Sequence, residues 1–315
     1  MGRTEPSGLT HIFERGKDMQ KLFRYGSVQD GLNEYYKAYG KCAAIGDVIC
    51  QLEREQFDYL QDGEKLPCPD FMAWDMKNLQ SLVEINRQVV INALIIQRNR
   101  KKPVDGVREE NAFITVMPFL HYALHKPELR KKDVLELGYV LRGSGRYFER
   151  DREIKLKEGD LLLIGCGQIH DISADPNGII FGLQIDMKMI EHDFQRFLTG
   201  NHLLSFLFRK CLYDKTDNLY ILHVKGTEAI NRLISHILDE YNRMEAYSTN
   251  SCICYTENLF YEILRNLENE NVSSSSMDRR TERIASVILN EIYQNYDTVS
   301  MRSLCENRTL RCGGA

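Results

Sequence analysis

The sequence has no stretch long and apolar enough to cross a membrane. Its most apolar run, Val89–Ile96, is broken by Asn92 and falls far short of the roughly 20 residues a helical span needs. The first residues are polar and charged, with no apolar core of a secretory signal. A cytoplasmic protein without a membrane partner is the expectation. Positive charge is not in surplus either: 41 Lys and Arg stand against 45 Asp and Glu, a net charge of −4. The chain as a whole is therefore no polyanion binder, and any nucleic-acid surface has to be local. The nine cysteines have no repeating spacing, and the CxC of Cys252 and Cys254 has no second Cys or His pair at zinc distance. Reduced thiols, several of them buried, are expected.

Catalytic signatures are also missing. Gly165-Cys166-Gly167 follows a strand pattern, but no helix pattern follows it, so it is no phosphate loop. Spacing implies no His or Asp partner for Cys166 as a nucleophile. The chain is read as a non-enzyme with no cofactor.

What is present is ordinary for a globular chain: 43% hydrophobic and 27% charged residues. A length of 315 residues suggests two domains. The organising stretch is 134–173, VLELGYVLRGSGRYFERDREIKLKEGDLLLIGCGQIHDIS. Short β-branched and aromatic runs alternate there with turn residues. Gly143-Ser144-Gly145 reads as a hairpin turn, Glu158-Gly159-Asp160 as another turn, and Leu161–Ile164 as a buried strand. With Phe113–Leu120 before it, apolar on both faces, and Ile179–Ile185 after it, the pattern describes a small β-barrel or jelly roll over about 111–186.

The flanks read as helical. Residues 1–30 lack periodicity and are expected to be poorly ordered. Helices are expected between Leu32 and Leu60, and a long one from Leu79 to Gln97, ending in the basic cluster Arg98, Arg100, Lys101 and Lys102. Met76 is an alternative start that would make 1–75 an upstream extension. After the strands come helices at 187–198 and Leu203–Leu212, a short strand at Asn218–Val224, and amphipathic helices at about 226–246 and 252–268. The last two suit either a dimer seam or a hairpin within one chain. Asn269–Met277, with serines at 273–276, reads as a linker, and Asp278 caps a new helix.

Taken together, these pieces resemble transcription regulators of the AraC/XylS type. LELGYVLRGSGRYF, the turn at Lys157–Leu161 and Gly167-Gln168-Ile169-His170 resemble the cupin-like sensor of that family. RIASVILNEIYQNYDTVSMRSLCEN resembles the start of its helix-turn-helix domain. The resemblance covers about 111–306 and implies an α+β chain in five parts. These are a helical N-terminal extension (1–108), a cupin-like sensor barrel (109–186) and a helical dimerisation segment (187–270). A Ser-rich linker (271–277) and a helix-turn-helix domain cut short (278–315) complete the chain. It also implies DNA and a small-molecule effector as partners, a sugar among the options, and a homodimer. Ser300, Arg302 and Arg308 are the DNA-facing candidates. The first recognition helix, due near Asn307, is not in the pattern, so it is expected to be lost.

Cupins also include metal enzymes, which take a His-x-His and a carboxylate from one hairpin and a later His from another. Residues 130–140, RKKDVLELGYV, contain no His, and His121 and His125, four apart, fit no strand-based pair. His170 alone stands at the second motif. A stand-alone binding protein, or a metal-dependent cupin enzyme, is the alternative reading. For an effector pocket, the polar candidates are Glu136, Tyr139 and His170, all on strand patterns.

Overall fold

The computed structural model describes residues 22–54, 69–92, 116–150, 152–187, 190, 193–194, 203–213, 219–243, 245 and 247–273. Its first part is a helical unit tied by a two-stranded ribbon. Strand β1 (Leu22–Arg24) leads into α1 (Tyr25–Tyr39), followed by α2 (Ile45–Arg54). Val48, Ile49 and Leu52 of α2 bury against Phe23, Val28 and Leu32. β1 and α1 thus start within residues 1–30, the stretch expected to be poorly ordered. A 3-10 turn (Phe71–Ala73) is capped by Asp70, whose side chain accepts from two backbone amides.

Helix α3 (Leu79–Asn86) is capped by Asn78 and is much shorter than the periodicity predicts. It stops because Val90–Asn92, strand β2, pairs antiparallel with β1. The β-branched residues at 89–91 keep helical spacing in sequence, but a strand partner from 66 to 70 residues earlier overrides it (Leu22 pairs with Asn92, Arg24 with Val90). The basic cluster at 98–102 lies outside the described residues.

The β-unit is two antiparallel sheets packed face to face. Its strands are β3 (Val116–Leu120), β4 (Arg130–Lys131), β5 (Val134–Arg142), β6 (Ser144–Glu149) and β7 (Arg152–Lys157). They continue with β8 (Asp160–Ile164), β9 (Ile169–Ala174), β10 (Ile179–Asp186) and β11 (Leu219–His223). One sheet has five strands in the order β11-β8-β5-β10-β3, the other four in the order β4-β9-β6-β7. β3 is an edge strand with alternating burial, which tolerates Pro118 and corrects the expectation of two apolar faces. β11 joins the sheet beside β8, so the β-unit reaches beyond residue 186.

Gly143-Ser144-Gly145 is not a hairpin turn. β5 and β6 belong to different sheets, and Gly143, at φ 68°, is where the chain crosses between them. Glu158 Oε2 accepts the Gly143 amide and fixes the corner. Gly159, at φ 85°, makes the return crossing from β7 to β8. The true hairpin is β6–β7, with Glu149 facing Arg152.

Strand periodicity sorts β5 into two faces. Leu135, Leu137, Tyr139 and Leu141 point away from the second sheet, while Val140 points between the sheets with Tyr147, Leu156, Leu162, Ile164, Ile172, Ala174 and Ile180. Three helices cover the outer face: α4 (Leu203–Tyr213), α5 (Glu228–Arg243) and α6 (Ser248–Ser273). Ile230, Ile234, Ile237 and Leu238 of α5, with Leu259, Phe260, Ile263 and Leu264 of α6, share one buried cluster with the sheet. The two amphipathic faces left open by the sequence are therefore used within one chain. α6 also runs through Ser273, so the first part of the expected linker is helical. Residues 274–315, with the whole resemblance to a helix-turn-helix, lie outside the described residues.

Candidate functional site

Glu136 sits on the inward face of β5, two residues before Gly138 and four before Val140, and is fully buried between the sheets. An anion there needs partners. Lys132, just before the strand, brings its Nζ to 2.6 Å from Glu136 Oε2. Gln184, the register partner of Glu136 on β10, donates its Nε2 to the same oxygen at 2.9 Å. Two histidines approach from other directions. His170 Nε2, from β9, lies 3.5 Å from Glu136 Oε2, and His121 Nε2, just past β3, lies 3.8 Å from Oε1. Both rings are almost completely buried.

The other nitrogen of each ring decides its chemistry. His121 Nδ1 is 3.2 Å from the Ile172 carbonyl oxygen, and His170 Nδ1 is 3.1 Å from that of Gln168. A carbonyl only accepts, so each Nδ1 carries a proton, and in the neutral His121 ring this leaves Nε2 as an acceptor. His121 Nε2, His170 Nε2 and Glu136 Oε1 are all buried and make no hydrogen bond. The site therefore holds two unpaired acceptors, His121 Nε2 and Glu136 Oε1, with His170 Nε2 turned toward the other carboxylate oxygen.

The surroundings hold this arrangement. Tyr147 of β6 stacks on the His170 ring, with centroids 5.7 Å apart. Phe119 meets the His121 ring edge-on at 4.8 Å. Gly182 of β10 leaves the space both need: a Cβ there would stand 2.5 Å from Phe119 Cζ and 2.9 Å from His121 Nε2. Behind the site, His125 Nε2 bonds Asp171 Oδ2 at 3.0 Å, and the Glu128 amide donates to the same oxygen at 2.8 Å.

Burial opposes every charge here. It pushes His121 down to about 4, and the nearby Glu136 carboxylate only partly offsets that. Burial also pushes Glu136 up, but the Lys132 ammonium, with His170, more than reverses it and holds the carboxyl well below its usual range. Asp171 is likewise lowered, burial being outweighed by His125 and the Glu128 amide. At neutral pH, Glu136 is an anion and His121 is neutral. Among the described residues, no group of three or more His, Cys, Asp and Glu side chains is set to hold a metal ion.

Of the three residues singled out from the sequence, the structure brings Glu136 and His170 together. Tyr139 points to the opposite face, where its hydroxyl donates to the Val224 carbonyl at 3.1 Å. The void it lines with Leu137, Phe181 and Ile234 measures about 10 Å³, room for about one water. Ser300, Arg302 and Arg308 lie outside the described residues. Sequence reasoning missed His121, Lys132 and Gln184. His121 lacks a strand-spaced partner because it acts from just beyond a strand end. Lys132 reads as one of a solvated basic run. Gln184 carried a usable signal: it is the one polar side chain within Ile179–Ile185, before Asp186 ends the strand.

The segment 118–204 matches the family model of the AraC-like ligand binding domain. No curated protein matches the chain. Among solved structures, an apo variant of ToxT from Vibrio cholerae is similar at 14% identity, covering 61% of this chain and 69% of that one, with a TM-score of 0.35. Unsaturated fatty acid-bound ToxT from Vibrio cholerae is 14% identical, covers 65% and 77%, and has a TM-score of 0.32. The AraC-like transcriptional activator CuxR is 11% identical, covers 64% and 72%, and has a TM-score of 0.23.

Proposed function

We propose that the chain is an effector-responsive transcription regulator of the AraC type, with the space between its two sheets as the effector site. The observation that carries this reading is a set of three buried polar atoms without a hydrogen-bond partner, Glu136 Oε1 and the Nε2 atoms of His121 and His170, inside a segment that matches a ligand-binding family. Unsatisfied buried polar groups cost about 1–3 kcal/mol each, so a fold that keeps three in one place is prepared for something that fills them. Glu136 and His170 line the site, and His121, Lys132 and Gln184 complete it. Tyr139 belongs to the sheet–helix contact instead.

In this reading the effector shifts the balance between two arrangements of the sheets and their attached helices. The DNA-facing candidates Ser300, Arg302 and Arg308 lie in the segment 278–315, whose start resembles that of a helix-turn-helix domain and whose first recognition helix is expected to be lost. The protein acts as a homodimer through surfaces other than the buried faces of α5 and α6.

The test is transcript profiling of the natural host with the chain present, absent, or carrying Glu136→Leu. A defined set of transcripts that changes with the wild-type chain and not with the variant is the expected result. Identical profiles in all three strains would overturn the reading.

A further inference from the structure

The chemistry of the site also selects its ligand, given the reading above that the space between the sheets receives an effector. We propose that this ligand presents hydrogen-bond donors, on a small hydroxyl-bearing or ammonium head group, and takes the place of the Lys132 ammonium on Glu136. Carboxylates and phosphates are the class the site rejects.

Three facts lead there. Two of the unfilled atoms, Glu136 Oε1 and His121 Nε2, are acceptors, and the Ile172 carbonyl, which takes the Nδ1 proton, keeps the neutral His121 ring from turning donor on that side. An anionic head group would add acceptors to acceptors and a second negative charge beside a buried one. The Lys132 ammonium, which would otherwise attract an anion, is already held by Glu136 at 2.6 Å. The Lys132 side chain is 22% exposed whereas Glu136 is not exposed at all, so the lysine stem is the path from solvent to the carboxylate. Rotation of that flexible stem outward vacates a space the size of a four-carbon chain with one donor group. Lys132 is thus a resident stand-in for the ligand, and it competes with it.

Four-carbon probes on the full chain test this: n-butylammonium, erythritol and butyrate, read by thermal shift and calorimetry. The first two distinguish an ammonium from a hydroxyl source. On Lys132→Ala, at least one donor probe raises the melting temperature by several degrees and binds about tenfold tighter than to wild type, while butyrate does neither. Adding Glu136→Gln to that variant weakens the donor probe about tenfold or more. Lys132→Met, which keeps the stem in place, removes the gain. Butyrate outperforming both donors would sink the assignment and leave the receptor reading standing. Silence of all three probes on Lys132→Ala would sink the assignment too, whatever the transcript profile shows. Nitrogen-15 NMR of wild-type histidines gives a readout that needs no variant to fold. His121 appears as the Nδ1–H form with a bare Nε2, and the donor probe shifts that Nε2 resonance. Finding a proton on His121 Nε2 would refute the proposal.

Discussion

Lowering the pH from 7.5 to 4.5 isolates the cost of charging His121. Burial holds this side chain at about 4 in the folded state, against the usual 6.5. A base whose folded value is depressed takes up its proton in the unfolded chain first, so folding stability falls as the pH drops through 6.5 and levels off near 4. Two units of that window, at ~1.4 kcal/mol per unit, make His121 alone destabilise the protein by about 2.5 kcal/mol at pH 4.5. The neighbouring carboxylates do not blur the window. Glu136 and Asp171 are lowered from their usual 4.5 and 3.8, so their stabilising contributions are complete above those values and are lost only below them. Urea unfolding of wild type and His121→Gln at pH 7.5, 6.5, 5.5 and 4.5 provides the measurement. The two stability curves converge on acidification, because the wild type loses about 2.5 kcal/mol more than the variant. Parallel curves would refute the reasoning. They would mean that Glu136, 3.8 Å away, outweighs burial and lets the imidazole charge in place.

Four further outcomes follow from the same geometry. Lys132→Met leaves a buried carboxylate without its cation and costs roughly 3 kcal/mol in chemical denaturation, and adding Glu136→Gln recovers a large part of that loss. Gly182→Ala, whose methyl would stand 2.5 Å from Phe119, destabilises by about 1–3 kcal/mol and displaces the His121 NMR signals. Tyr139→Phe removes one hydrogen bond to Val224 and costs about 1 kcal/mol, yet leaves probe binding at Glu136 unchanged, because it acts on the other face of the sheet. Gln29→Ala breaks a two-bond clamp on Ala123, made through its amide and its carbonyl. It speeds hydrogen exchange across residues 121–125, and exchange at the wild-type rate would argue against the clamp.

How much of this was legible in the sequence depends on how local the cause is. Turn chemistry and β-rich runs placed β5, β8 and β10 closely, since Gly143 and Gly159 act over a few residues. Pairing was not legible. Gly143 reads as a hairpin because the sequence cannot show that β5 finds β8 and β10 while β6 finds β7 and β9. The same limit hid the strand at 90–92, whose partner is the distant Leu22–Arg24. Within the site, Glu136 and Tyr139 are equally conspicuous on one strand. Only the period of two, counted from a known inward residue, separates them. His121 and His170 come from opposite edges of the β-unit's sequence, and their meeting at Glu136 is a product of topology.

The helical unit that precedes the sheets gains a physical place from this. It grips the segment that carries His121 and His125. Tyr25 donates its hydroxyl to the His121 carbonyl at 3.1 Å and stacks on Tyr122 with centroids 4.3 Å apart. Lys126 donates its amide to the Ala43 carbonyl at 2.7 Å, and Gln29 holds Ala123 from both sides. His121 lies beyond the end of β3 and borrows its position from these contacts as well as from the Ile172 carbonyl. A movement of His121 toward a bound donor therefore pulls on α1 through backbone atoms. On the outer face of the sheet, Tyr139 hangs on the Val224 carbonyl, close before α5. β5 carries both Glu136, which faces the other sheet, and Tyr139, which faces the helices. Under the proposed reading, occupancy of the site is felt at the upstream helices through His121, and the Tyr139 contact on the far face of β5 stays outside that coupling.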